Sequence, residues 1–186
     1  MKLLRGDAGM EFLSKLEHTI LRWLREVPHL PNDARRWFGD NIWWITLVGA
    51  ILTGIGAFGL IIAVFSNVAM LNSQFIAYYA STTFVTLAII KSIVSLVFAI
   101  LTCVLLSLAV TPLKEKQKKG WVLIFAAWLV SLLSVVVGAI ITLNPFSFLT
   151  DMIFGAVGLL IGLYFLFEVH GQFAHVEKSK GVKKNA

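Results

Sequence analysis

Residues 42–65 read IWWITLVGAILTGIGAFGLIIAVF, 24 residues without one charged side chain. A helix needs about 20 apolar residues to cross a hydrocarbon core about 30 Å thick. This stretch meets that length, so the first expectation is a membrane-spanning helix over Ile42–Phe65. Strands are excluded: a barrel would show alternation of polar and apolar residues over roughly ten-residue segments, and the stretch is apolar on every face. In lipid each backbone N–H and C=O needs a partner within the segment, which a helix supplies.

Working outward, three further runs have the same character. One ends at Val110 and begins between Phe75 and Lys91; the next covers Trp121–Leu143; the last covers roughly Phe148–Phe167. Between Asn41 and Leu113 the single charge is Lys91, and between Trp121 and Phe167 it is Asp151. The fold class expected is therefore an all-α membrane protein with four transmembrane helices. The second run is ambiguous. Phe75–Val110 is 36 residues, about 54 Å as a helix, too long for one crossing. Either it forms one long tilted helix, or 75–90 lies along the outer surface.

The bulk composition agrees. Apolar residues make up 58% and charged residues 14%, with a mean hydropathy of +0.84, against about 45–50% and about 25% in soluble domains. The net charge is +6, yet the basic residues do not form a nucleic-acid surface. They sit in three clusters beside the apolar runs: Lys2 to Arg36, Lys114 to Lys119, and Lys178 to Lys184, together 15 of the 16 Lys and Arg. Ser66–Gln74 and Asn144–Thr150 contain none. The positive-inside rule then places both termini and the middle loop in the cytoplasm of a multi-pass plasma-membrane protein. Trp37, Trp43, Trp44 and Trp121 stand where spans enter, as interface anchors do. No cleavable leader is expected, since Met1–Asp7 is not followed by an apolar core.

Before the first span, Leu13, Leu16, Ile20, Leu24 and Val27 recur at spacings of three and four among charged residues. This predicts an amphipathic helix over Gly9–Glu26, ended by Pro28 and Pro31. It either lies in the inner membrane surface or docks a partner, or it packs under the bundle. Asn32 or Asp33 is placed to cap a short helix carrying Arg35 to Phe38. The chain thus divides into a cytoplasmic segment 1–41, a bundle 42–169 and a basic tail 170–186, the tail expected to be disordered beyond Glu177. Two in–out–in hairpins, each opening on basic residues and tryptophan, need no internal repeat to explain them.

Little in the sequence carries chemistry. Gly54-Ile55-Gly56-Ala57-Phe58-Gly59 has the spacing of a dinucleotide fingerprint, but that motif requires a preceding strand and a βαβ unit. Here Gly54, with Gly158 and Gly162 of a G-x-x-x-G, reads as a place where helices approach closely, as do the Ala50/Gly54, Ala127/Ser131 and Ser134/Gly138 pairs. Lys91 and Asp151 are the intramembrane charges and the candidates for an ion site or gate; the plainer alternative is snorkelling at the outer interface. Glu168 is expected to be wet. His18, His29, His170 and His175 all lie outside the spans and have no ligand spacing, so neither metal nor other cofactor is expected. Cys103 stands alone, which excludes an internal disulfide.

Pro28-His29-Leu30-Pro31, Trp37, Asp40-Asn41 with Trp43-Trp44, Pro112-Leu113-Lys114 to Lys119-Gly120-Trp121, and Tyr164-Phe165-Leu166-Phe167-Glu168 together resemble a group of uncharacterised small four-helix integral membrane proteins of reduced-genome bacteria. The resemblance covers about Pro28 to Phe173. It implies the fold and the compartment and, since that group has no assigned activity, transfers no functional residue. The expected function is non-enzymatic: association of helices, with a second copy or another membrane protein, and binding of anionic lipid headgroups at the inner face. The alternative is a subunit of a small oligomeric transporter or channel.

Overall fold

The computed structural model describes residues 15–16, 19–20, 22, 28–71, 82–142 and 145–173, apart from the side chains of 142, 145–148, 150–152, 154, 156 and 159. These residues are helical apart from 28–31, the turn at 115–117 and position 169, without a strand among them. The elements are α1 (Asn32–Leu71), α2 (Thr82–Lys114), α3 (Lys118–Thr142) and α4 (Pro145–Glu168). Each packs on the next in chain order, up and down. All the described chain termini and turns that carry Lys and Arg therefore meet at one end, called here the basic end. Three of the helices, Asn32–Leu71, Thr82–Lys114 and Lys118–Ile141, are long and apolar enough to cross a membrane.

Helix α1 starts directly after Pro31. Arg35 N–H donates to Pro31 O at 3.0 Å, and Asp33 lies in the first turn, where a carboxylate faces the positive end of the helix dipole. From there α1 runs unbroken for 40 residues, about 60 Å at ~1.5 Å per residue. The short capped helix and the first span expected separately are one rod. Likewise α2 runs continuously from Thr82 through Lys91 to Lys114, which favours the long helix over a break before Lys91; positions 72–81 lie outside the described residues. The amphipathic helix expected over Gly9–Glu26 and the tail beyond Phe173 also fall largely outside them. Lys15, Leu16, Thr19, Ile20 and Arg22 are helical; Leu16 and Ile20 pack against the buried core while Lys15, Thr19 and Arg22 are exposed. Those two side chains favour packing under the bundle.

The core is not central. Its members, among them Ala109, Leu113, Trp121, Phe125, Phe167 and Phe173, gather at the basic end. Along the rods, large apolar side chains face outward: Phe65 and Phe84 are each 70% exposed and Leu160 is 67%. A soluble protein could not carry such a surface; a hydrocarbon solvent accepts it at no cost.

The turn between α2 and α3 is compact. Gln117 N–H donates to Pro112 O at 2.8 Å and Lys116 N–H to Leu113 O at 2.9 Å, the two bonds of a Schellman cap. That cap needs a left-handed residue, and Lys116 supplies it with φ 54°. Gly120 follows in the first turn of α3, where an added Cβ would stand 2.7 Å from Leu113 N; only glycine lets α3 come this close to the cap. Lys116→Gly should raise the melting temperature in detergent, because a left-handed lysine costs about 1–2 kcal/mol and the exposed pair it makes with Asp40 stabilises little. A lowered melting temperature would mean that this pair outweighs the backbone strain.

Candidate functional site

The basic end is fastened by polar contacts that join segments far apart in sequence. Glu168 ends α4 with its side chain only 5% exposed. His29 Nδ1 lies 2.7 Å from its Oε1, and Arg35 Nε lies 3.0 Å from its Oε2. The Arg35 N–H is not aimed along that second line, so the attraction is Coulombic rather than a linear hydrogen bond. Around this pair, Tyr164 OH donates to Pro28 O at 2.7 Å, Gln172 Nε2 donates to Arg35 O at 2.6 Å, and Arg35 Nη2 donates to Leu30 O at 3.3 Å. The stretch Pro28–Arg35 is thus strapped to the end of α4. Gly39 makes this approach possible, since an added Cβ would fall 1.9 Å from Gln172 Oε1.

A second set holds the same end of α1 to the α2–α3 turn. Lys116 Nζ pairs with Asp40, and Lys114 Nζ sits 5.4 Å from the centre of the Trp43 ring. A third closes α3 onto α4. Trp121 is fully buried and its indole N–H donates to Leu166 O at 2.8 Å, one of the last carbonyls of a helix that lack a partner within it. His170 meets the Trp121 ring edge-on at 4.7 Å.

Beyond this collar α1 and α4 leave a crevice of about 430 Å³. The Phe38 and Phe165 rings, 4.9 Å apart, stand at its basic end. Thr46, Gly49 and Thr53 of α1 form one wall, Ala127, Trp128 and Ser131 of α3 the back, and Gly162 of α4 a lip on which the Trp128 ring rests. The lining is mostly apolar, and three of its four hydroxyls donate to the carbonyl one turn back: Thr46 to Ile42 at 2.7 Å, Thr53 to Gly49 at 2.8 Å, Ser131 to Ala127 at 3.0 Å; the fourth is Thr102 of α2.

The residues singled out from sequence are dispersed. Trp37 and Trp44 are exposed near the basic end, where the Trp44 indole donates to Asn41 Oδ1 at 2.8 Å; Trp43 is half-buried under Lys114. Trp121 departs from the expected surface anchor by being an internal strut. Gly54 faces Cys103 Sγ at 3.8 Å and Gly162 faces Trp128, whereas an added Cβ at Gly56, Gly59 or Gly158 would meet nothing within 4 Å. Lys91 is half-buried, with its Cε 3.6 Å from where a Cβ on Gly138 would stand. Asp151 belongs to α4, and its side chain lies outside the described residues. Glu168 is the clear correction: it is shielded and paired instead of wet. Among the described residues no three His, Cys, Asp or Glu side chains converge on a metal-sized site. Compared with protein-family models, with curated proteins and with solved structures, the chain matches none.

Sequence reasoning missed the Glu168–Arg35–His29 group, although one signal pointed there: Glu168 closes a run that is otherwise free of charge from Met152 onward. Removing Arg35 leaves a shielded carboxylate without its cation. Because the Arg35 side chain is 34% exposed, water softens the loss, and Arg35→Ala should cost about 1–3 kcal/mol. Glu168→Ala in the same background should add less than it does alone, as expected of partners. Full additivity in thermal melts would show that the two groups do not interact.

Proposed function

We propose that this chain is a four-span plasma-membrane protein with both termini in the cytoplasm, and that it acts without catalysis, by binding anionic lipid headgroups and by associating with other helices at its inner face. The observation that carries this reading is the division of labour at the basic end. The buried Glu168 and Trp121 side chains there and the half-buried Gln172 bond to other parts of the chain, while Arg22, Arg36, Lys114 and Lys119 are exposed beside the apolar rods. Exposed cations at the rim of a hydrocarbon-facing bundle attract anionic lipid, at about 1 kcal/mol per basic residue near the surface.

The reading depends on α4 crossing with the other three helices. It is 24 residues long and begins at Pro145, which suits the first position of a helix because its missing N–H has no partner there to lose. In a Cys103→Ser background, cysteines introduced at Asn67 and Lys119 should label from opposite sides of the membrane, and one at Gln172 from the same side as Lys119. Labelling of Asn67 and Lys119 from one side refutes the topology. For the binding itself, full-length protein in mixed phosphatidylglycerol and phosphatidylcholine nanodiscs should retain phosphatidylglycerol preferentially in native mass spectrometry. Arg36→Gln and Lys119→Gln should each weaken that preference about fivefold, the equivalent of ~1 kcal/mol. No preference in the unaltered protein removes the reading.

A second reading, a subunit of a small oligomeric transporter or channel, draws on the placement of the two intramembrane charges. Lys91 of α2 packs at Gly138 of α3, and Gly155 of α4 stands against Val135 of α3. Position 151, one turn from Gly155 in antiparallel α4, then lies at the level of Gly138. Lys91 and Asp151 therefore occupy one level of the bundle, on the two helices that flank α3. If this level is a gate, Lys91→Ala and Asp151→Ala should each change ion flux through proteoliposomes severalfold. Flux equal to that of protein-free vesicles rules it out.

A further inference from the structure

We infer that the crevice between α1 and α4 is a binding site for one acyl chain of an inner-leaflet phospholipid. The assignment rests on the inner face proposed above, which fixes the leaflet, and on three features of the crevice itself.

The first is length. From Ile42, at the basic end, to Thr53 the wall on α1 covers 12 residues, about 16 Å from the first Cα to the last at ~1.5 Å per step. That is roughly half the ~30 Å hydrocarbon core, the depth of one leaflet. A helix of a second copy would need a groove through the whole core. The second is chemistry. Thr46, Thr53 and Ser131 spend their hydroxyl protons on their own helices, so three of the four lining hydroxyls, Thr102 being the fourth, are closed to a polar solute, and the apolar remainder suits a methylene chain. Its volume of about 430 Å³ lies within the ~300–1,000 Å³ usual for small-molecule sites. The third is position. The basic end of the crevice is bounded by the Phe38–Phe165 contact, and the exposed Trp37 ring meets Phe38 edge-on at 5.2 Å, a group suited to the headgroup boundary. A chain whose headgroup lies at this end has it level with the Trp37 indole while its tail follows Gly49 inward.

The test is a map of photo-crosslinks. Full-length protein is placed in nanodiscs made of phosphatidylcholine carrying a diazirine partway along one acyl chain, irradiated, digested and sequenced by mass spectrometry. Adducts are expected to concentrate on the peptides of Gly49 and Ala127, well above those of Phe65 and Phe84, which face outward. Gly49→Trp, which fills the crevice, should abolish the concentrated adducts and leave the outward ones unchanged. Because the map of the unaltered protein stands alone, a Gly49→Trp variant that fails to fold does not rescue the idea. Adducts spread evenly over the outward residues overturn it, as does crosslinking of the crevice peptides to a second copy. Phosphatidylcholine is zwitterionic, so a concentrated map without any preference for phosphatidylglycerol would keep the chain site while removing the headgroup reading; the reverse result would do the opposite.

Discussion

The constraint behind this structure is that most of its surface is solvated by hydrocarbon. Where water surrounds a protein, apolar side chains are driven inward and supply most of the stability. Lipid exerts no such drive between helices, so rods such as α1 and α2 have no reason to hide Phe65 or Phe84. What remains to hold four helices together is close packing and hydrogen bonding. Both are concentrated at the basic end, where the chain leaves the hydrocarbon and water can again drive burial. Trp121, Phe125, Phe167 and Phe173 form a small water-type core there, capped by the bonds of Glu168, Gln172 and Tyr164.

That arrangement also explains which parts of the fold are legible in the sequence. The rods are legible because hydropathy over some twenty residues reads the solvent directly, and it needs no knowledge of neighbours. The start of α1 is legible from Pro31 and Asp33. The fusion of that start with the first span is not, because Asn32–Asn41 reads as a short helix of its own until Asp40 finds Lys116 and Arg35 finds Glu168. Trp43 and Trp121 show the same limit. Each follows basic residues at the beginning of an apolar run, yet one is half-buried under Lys114 and the other is sealed inside. The difference comes from Gly120, which brings α3 against the α2 cap, and from Leu166 O, which needs a donor. Neither is visible from local pattern. Glu168 is the extreme case, since its partner His29 lies 139 residues away.

Small residues were expected to mark close helix approaches, and the structure shows why residue type alone does not decide this. At Ala50 and Gly54 the neighbour comes near: Cys103 Sγ reaches Ala50 O at 3.5 Å and lies 3.8 Å from where a Cβ on Gly54 would stand. At Gly56, Gly59 and Gly158 the same absence of a side chain faces open space. A missing Cβ permits contact only if something else delivers the partner helix, and α2 is delivered to α1 along its length while α4 is not.

The crevice follows from that inequality. α1 and α4 meet at the collar through Phe38 on Phe165, and Gln172, four residues past the end of α4, lies over Gly39. Two tilted rings set the spacing at this point, and the α1 residues that face the gap beyond it, Gly49 and Thr53, are too short to cross it. The small side chains that draw α1 onto α2 therefore leave a void between α1 and α4. A void lined by apolar atoms forfeits dispersion contacts on its open side, and in a bilayer the molecules within reach that restore them are lipid chains. The polar collar, by fixing where the two helices touch, thereby also fixes the depth and width of the space that lipid has to fill.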